Sequence, residues 1–289
     1  MTTAAAPTTT TAPPELDLPA YLARIGEPDA ATPDLPTLRK IVAGHARSIA
    51  FENLDPFTGR EPRLDAAGLE AKLVRGGRGG WCFEQNGLLR FALDALGYRT
   101  TGLAARVVWG QPDDAPLGPR SHMVVRVDLP EGPHLVDVGF GGLTLTGVLR
   151  LEPEVEQPTP HEPFRLWPAG SAYAMQALLG GEWRPLYRFD LTEQLPVDYA
   201  VTNFYLTRHP QSHFLSGLMV ARPDVDRRYA VSGVVGANGA PTLSVHHLGG
   251  PTEKHVLETP SAMRTALEEQ FLLDLSGLPD VDAALARLF

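Results

Sequence analysis

Only one cysteine, Cys82, occurs among the 289 residues. No intramolecular disulfide can form, and the zinc frameworks that need several cysteines are excluded. The sequence also lacks any apolar run approaching the roughly 20 residues that span a bilayer, which excludes a membrane protein. Basic residues are scarce: 25 Lys and Arg stand against 34 Asp and Glu, a net charge of -9. A broad nucleic-acid surface needs clustered Lys and Arg, so that partner class is excluded as well. Net charge does not exclude a local basic patch for an anionic cofactor. Met1 to Pro14 has neither a basic n-region nor an apolar h-region, and is not read as a secretory signal. Its Thr, Ala and Pro read as a disordered extension, residues 1–14, because such a segment buries too little apolar surface to offset its ordering entropy. A lone thiol without a secretion signal predicts a reducing, cytoplasmic compartment.

What is present is a globular profile, 43% hydrophobic and 20% charged, long enough for two or three packed modules. Residues 15–97 read as mainly helical. Leu35, Leu38, Ile41, Val42 and His45 recur at helical spacing, and Ala66 to Val74 fits a short helix. Leu88, Leu89, Ala92, Leu93 and Leu96 share one face of a helix that Gly97 stops. Asp55 to Arg63 reads as a loop. From Tyr98 the pattern becomes β: Leu103 to Trp109, His122 to Leu129 and Leu135 to Phe140 are strand-like. A Pro130-Glu131-Gly132-Pro133 turn joins the last two. Short strands continue through Phe164–Trp167, Ala172–Leu178, Trp183–Phe189, Phe214–Ala221, Arg228–Val235 and Thr242–Leu248. Helices at Ser261–Leu273 and Val281–Phe289 close the chain. A helical first module before a strand-rich second one predicts an α+β fold.

Cys82 lies in Arg78-Gly79-Gly80-Trp81-Cys82-Phe83-Glu84-Gln85-Asn86, where a glycine-rich loop delivers it to a helix start. Free backbone N–H groups and the helix dipole favour an anion there, and so activate a thiol. A buried, inert cysteine is the plain alternative. A nucleophilic thiol needs a base, and the base an orienting group. His122 opens a strand behind a Pro- and Gly-rich loop, and Asp137 sits in the apolar run Leu135-Val136-Asp137-Val138-Gly139, where an unpaired carboxylate is costly. A symmetric hairpin about the Pro130–Pro133 turn sets Asp137 opposite Arg126 and His122 opposite Phe140 or Gly141. The two share a face but stand about four residues, roughly 13 Å, apart. Two readings follow: a bulge or twist unites them, or Asp137 simply pairs with Arg126.

Other motifs lead nowhere. Arg75 to Gly80 lacks the Gly-Lys-Ser/Thr of a phosphate loop, Thr144 breaks any Gly-x-Gly-x-x-Gly, and no Gly-x-Ser-x-Gly elbow occurs. The adjacent His246 and His247 point to opposite faces of a strand, so they and His255 make no metal site. No metal is expected.

The Arg78–Asn86 segment resembles the nucleophile motif of the arylamine N-acetyltransferase family. Ile49-Ala50-Phe51-Glu52-Asn53-Leu54 resembles that family's helical-domain segment. Ser121-His122-Met123 and Val136 to Gly142 resemble its His and Asp segments, and His209 to Phe214 with Ser216 to Val220 extend the likeness. The resemblance covers nearly the whole chain from about Leu16. It implies a helical bundle (15–97), a β-barrel-like domain (98–204) and an α/β lid (205–289), with a Cys82–His122–Asp137 triad at the junction of the first two. This is the arrangement of papain- and transglutaminase-like cysteine enzymes.

It further implies acetyl transfer from acetyl-CoA through a Cys82 thioester to arylamines, arylhydrazines or hydroxylamines, in a ping-pong sequence and a role in xenobiotic metabolism. Phe51, Val108, Phe140 and Phe214 would line the arylamine pocket, each with ordinary core packing as its alternative. Gly141 and Gly142 would let the pantetheine arm pass the backbone, or form a plain turn. Glu84 reads as a structural first-turn acid. Three other functions stay open. One is a related amide synthase that closes a polyketide macrolactam, another a cysteine amidase or transglutaminase-like enzyme without CoA, and the third a binding module with an unreactive Cys82.

Overall fold

A computed structural model describes residues 16–112 and 114–289. The Met1–Pro14 extension lies outside them. Helices α1 (Leu18–Arg24) and α2 (Leu35–Ser48) each begin on an aspartate cap, Asp17 and Asp34, followed by a proline in the first turn. A two-residue strand β1 (Phe51–Glu52) follows, then the short turns α3 (Leu54–Phe57) and α4 (Ala66–Leu69). The chain continues from α4 as a π-helical stretch, Glu70–Arg75, so the expected Ala66–Val74 helix is real but changes its winding. The expected Asp55–Arg63 loop begins one turn late, because Leu54–Phe57 is helical. Helix α5 (Cys82–Ala95) starts at the cysteine. The Glu84 carboxylate accepts the Trp81 N–H at 3.2 Å and so fixes where the helix begins.

Seven antiparallel strands form the middle of the molecule: β2 (Arg99–Val107), β3 (His122–Leu129), β4 (Gly132–Val136), β5 (Leu149–Arg150), β6 (Phe164–Ala169), β7 (Ala172–Leu179) and β8 (Glu182–Glu193). Their order is β5-β4-β3-β2-β8-β7-β6. The segment that follows β5 reaches the other edge strand, β6, through bridges Pro153–Leu166 and Gln157–Phe164, which nearly close the sheet into a barrel. Alternation along β3 splits its side chains between two cores. Val124 enters the barrel core with Leu103, Leu135 and Phe164. Met123, Val125 and Val127 pack outward against the helices, with Trp81, Phe83 and Leu89.

Helix α6 (Pro196–Arg208) and the turn α7 (His213–Ser216) lead to the lid. Its strands β9 (Gly217–Pro223), β10 (Arg227–Val234), β11 (Thr242–His247) and β12 (Thr252–Val256) extend from β1 in the order β1-β9-β10-β11-β12. Helices α8 (Pro260–Glu269) and α9 (Val281–Ala286) cover this sheet over a third core around Met263, Leu267 and Phe271. The fold is α+β, with helices, a barrel-like sheet and an α/β lid. The strand expected from Phe214 begins only at Gly217, because the preceding residues wind into α7 while Asn53 takes the Phe214 and Gly217 carbonyls. No helix among the described residues is long and apolar enough to cross a membrane.

Candidate active site

The expected hairpin register is corrected by two residues. Strands β3 and β4 pair as Leu129–Gly132 through Val125–Val136, so the turn is the two residues Pro130-Glu131. Continuing that register sets Asp137 beside Val124, on the same face as His122 and only one diagonal step away. Diagonal neighbours lie about 7–8 Å apart, within reach of long side chains. His122 Nε2 and Asp137 Oδ2 meet at 2.7 Å, both fully buried. No bulge is needed. The alternative pairing of Asp137 with Arg126 is also overturned, since Arg126 faces Leu135 across the hairpin and binds Asp128.

The strand expected to reach Phe140 ends at Val136 for a related reason. Beyond it the backbone bonds to side chains instead of a neighbouring strand. The Val138 N–H donates to Asn86 Oδ1 at 3.0 Å, and the Gly139 N–H to Asp137 Oδ1 at 2.9 Å. Asn86 Nδ2 donates to the same carboxylate oxygen at 2.9 Å and to the Met123 carbonyl at 2.8 Å. Asn86 stands one turn after Cys82 on α5, so one amide ties the cysteine's helix to both the His and Asp segments. Gly139 lies directly against Cys82. A Cβ there would meet the Cys82 Cα at 2.7 Å and Asn86 Nδ2 at 2.8 Å, so only glycine allows this approach.

Burial opposes a charge on His122, yet the Asp137 carboxylate, its hydrogen bond and the adjacent Cys82 sulfur push the imidazole up to about 10. Burial likewise disfavours the Asp137 carboxylate, but His122, Asn86 and the Gly139 N–H together hold it below its ordinary range. With Nε2 committed to Asp137, Nδ1 is the ring nitrogen left for the Cys82 thiol. The thiol occupies the first turn of α5, and its sulfur lies 3.6 Å from the Ser121 carbonyl. A thiol, an imidazole and a carboxylate are thus gathered where helix meets barrel.

The loop before Cys82 is held by groups that sequence reasoning did not single out. Gln85 Nε2 donates to the Ile49, Ala50 and Gly80 carbonyls at 3.1, 2.6 and 3.2 Å. Its Oε1 meets His45 Nε2 at 2.7 Å, and Tyr21 meets the other ring nitrogen at 2.8 Å. Burial pushes His45 down to about 4, so it is a neutral relay in the core. Below the loop, Arg78 binds Glu52 and Asp55 while Lys72 binds Asp55 and Glu84. Tyr187 is another omission. Its ring lies 4.9 Å from His122, and its hydroxyl is buried near the Asp137 carboxylate. Gln85 and Asn86 close the Arg78–Asn86 cysteine motif, the one available signal; nothing in sequence marks Tyr187.

The aromatic candidates surround this centre. Phe140 stands edge-on to His122 at 5.3 Å and packs on Tyr187 at 5.2 Å. Phe214 packs edge-on to Trp81 at 5.1 Å. The Phe51 ring lies at ordinary contact distance, 3.5 Å, from where a Gly141 Cβ would stand. Gly141 has φ +86°, and no atom of the described residues stands within 4 Å of a Cβ at Gly142, so the backbone there has open space beside it. Val108 is placed differently. It lines a cavity of about 210 Å³ with Val107, Leu117, Pro185 and Arg188, at the end of β2. A larger cleft of about 1130 Å³, between α5 and α6, contains none of the predicted site residues. Among the described residues no cluster of His, Cys, Asp or Glu could hold a metal.

A nearly closed antiparallel barrel, helices that present a thiol at its mouth and an α/β lid define the class: an α+β protein with a thiol–imidazole–carboxylate centre. The N-acetyltransferase family model matches residues 34–280. The arylamine N-acetyltransferase of Mycolicibacterium smegmatis is 44% identical over 278 residues, covering 94% of this chain and 98% of that protein. The Salmonella typhimurium arylamine N-acetyltransferase / N-hydroxyarylamine O-acetyltransferase is 40% identical over 71% of this chain and 72% of its own. The solved structure of Mycobacterium marinum arylamine N-acetyltransferase in complex with CoA superimposes with a TM-score of 0.87. It is 41% identical, over 94% of this chain and 99% of its own. The chain belongs to the arylamine N-acetyltransferase family.

Proposed function

We propose that this protein transfers an acetyl group from acetyl-CoA to the nitrogen of arylamines, arylhydrazines or hydroxylamines through a thioester on Cys82. The observation that carries this reading is the buried 2.7 Å contact between His122 and Asp137 beside the Cys82 thiol. His122 Nδ1 takes the thiol proton, and Asp137 stabilises the resulting imidazolium. The Cys82 thiolate attacks the acetyl carbonyl, the carbon–sulfur bond to CoA breaks, and CoA leaves as a thiol with the proton from His122. The amine then attacks the Cys82 thioester. Its excess proton passes to His122, and Cys82 is expelled to restore the ion pair. Exchange between two thioesters is nearly balanced, so no activated phosphate is required.

Phe51, Phe140 and Phe214 form the arylamine wall in this reading, and Val108 contributes from the end of β2. Gly141 and Gly142 border the path of the pantetheine arm, which the open space at Gly142 suits. The CoA named for the M. marinum relative supports the donor. The O-acetyltransferase named for the Salmonella relative supports N-hydroxylated acceptors. The working units are residues 15–97, 98–204 and 205–289, and a single thiol that must stay reduced suits the cytoplasm.

Intact mass spectrometry after mixing with acetyl-CoA tests the reading. One acetyl adduct is expected on the native protein, absent from Cys82→Ala, and discharged by an added arylamine. No adduct on the native protein, or an equal adduct on Cys82→Ala, overturns it. Failure with every small acyl-CoA would point to a macrolactam-forming amide synthase instead.

A further inference from the structure

Arg228 is the second residue of β10, in the lid, yet its guanidinium is buried against the barrel. Only 2% of the residue is exposed. Its Nε lies 3.1 and 3.0 Å from the two Glu162 oxygens, and Nη2 donates to Glu162 Oε2 at 2.7 Å. The remaining fork is spent on backbone: Nη1 donates to the Thr144 carbonyl at 3.0 Å and reaches the Gly142 carbonyl at 3.4 Å. A buried ion pair gains little stability over an apolar pair of the same size, because desolvation offsets its attraction. What a planar guanidinium supplies is direction. Here the direction is towards one turn.

That turn carries Phe140. The Thr144 N–H donates to the Gly141 carbonyl at 3.0 Å, and the Phe140 N–H donates to Thr144 Oγ1 at 2.8 Å. Thr144 is therefore fixed at its nitrogen, hydroxyl and carbonyl, and the lid supplies the last of these. Phe140 in turn sets its ring edge-on to His122. By contrast, the His122–Asp137 pair has its own supports in Asn86 and Gly139.

We propose that Arg228 is a positioning residue for the acceptor wall: through the Gly142 and Thr144 carbonyls it fixes where Phe140 and Gly141 stand beside His122, and so governs arylamine binding rather than the chemical step that loads Cys82. The inference rests on the acetyl-transfer reading above. Losing the directed hydrogen bonds to the turn weakens arylamine binding by about tenfold.

The test uses two variants of the full chain, Arg228→Lys, which keeps the charge but loses the fork, and Arg228→Met with Glu162→Met, which removes both charges. Cys82 acetylation by acetyl-CoA and arylamine steady-state kinetics are measured alongside thermal unfolding. We expect arylamine KM to rise about tenfold in both variants, while acetylation of Cys82 at saturating acetyl-CoA stays within about twofold of the native rate. Unchanged arylamine KM in both variants, whatever happens to Tm, would make Arg228 a clamp between lid and barrel and nothing more. Acetylation slowed even at saturating acetyl-CoA, with unchanged KM, would also overturn the proposal, by placing the effect on the triad. If the native protein itself takes no acetyl group, it is the underlying reading that fails.

Discussion

Asn86 and Asp137 share a 2.9 Å hydrogen bond that joins the helix of Cys82 to the segment carrying the carboxylate. The same amide satisfies the Met123 carbonyl and the Val138 N–H. Replacing it with alanine takes a hydrogen bond from all three; Asp137 Oδ1 keeps the Gly139 N–H, but the loss at the Met123 carbonyl and the Val138 N–H costs about 1–3 kcal/mol each. Asn86→Ala is expected to lose about 2–5 kcal/mol of unfolding free energy in urea. Its kcat/KM should fall about a hundredfold, as Asp137 and His122 lose register with Cys82. A variant with native activity would show that the backbone alone holds the three groups together.

Lys72 lies between Asp55 and Glu84, at 2.6 and 2.7 Å, in a buried set of three carboxylates and two cations completed by Glu52 and Arg78. Lys72→Met leaves one cation for three acids, and is expected to destabilise by about 3–5 kcal/mol near pH 8. Burial drives the Glu84 carboxyl up to about 7, with the Asp55 and Glu52 charges pushing the same way and Lys72 opposing. Because this folded value exceeds the unfolded one, the native state holds the extra proton as pH falls through that window. The deficit of Lys72→Met should therefore shrink between pH 8 and pH 5.5, once Glu84 is neutral. Urea unfolding at both values measures it. An equal deficit at both would show that Glu84 does not take up the proton.

How far the sequence reaches is visible at the same residues. Cys82 at a helix start was legible because the Gly79-Gly80 break and the apolar face from Leu88 are local signals. So was the α+β order, since the side-chain period changes from 3.6 to 2 near Tyr98. The register of the His122–Asp137 hairpin was not. Pro133, which has no N–H to donate, reads as part of the turn but stands inside β4 opposite Asp128. The register therefore shifted by two residues, enough to separate the pair on paper. The contacts made by Asn86, Tyr187 and Arg228 were illegible for another reason. Their partners lie far along the chain, 84 residues away for the Arg228 contact with Thr144, and no local pattern announces such contacts. Resemblance to a family bridged the first gap and did nothing for the second.

The charge of the His122–Asp137 pair sets its own dependence on pH. His122 is held up to about 10, above its unfolded 6.5, so the stability it contributes is complete below 6.5 and disappears as pH rises through 10. Asp137 is held below its ordinary 3.8, so its share is present above 3.8 and disappears as pH falls through the lower folded value. Together they keep the buried ion pair from below pH 3.8 up to about pH 10, with its full stabilisation between 3.8 and 6.5. Asp137→Asn keeps the size but removes the charge, and should let His122 titrate well below its native value. Histidine NMR, with the resonance assigned by comparison with His122→Gln, reads this directly. Iodoacetamide should alkylate Cys82 at pH 7 at least about tenfold more slowly, and kcat/KM should fall about a thousandfold or more. Arg126→Met is the matched control, since Arg126 binds Asp128 and should leave all three readouts near native. Unchanged titration of His122 in Asp137→Asn, or an effect of Arg126→Met as large as that of Asp137→Asn, would show that the carboxylate does not hold the imidazolium beside Cys82.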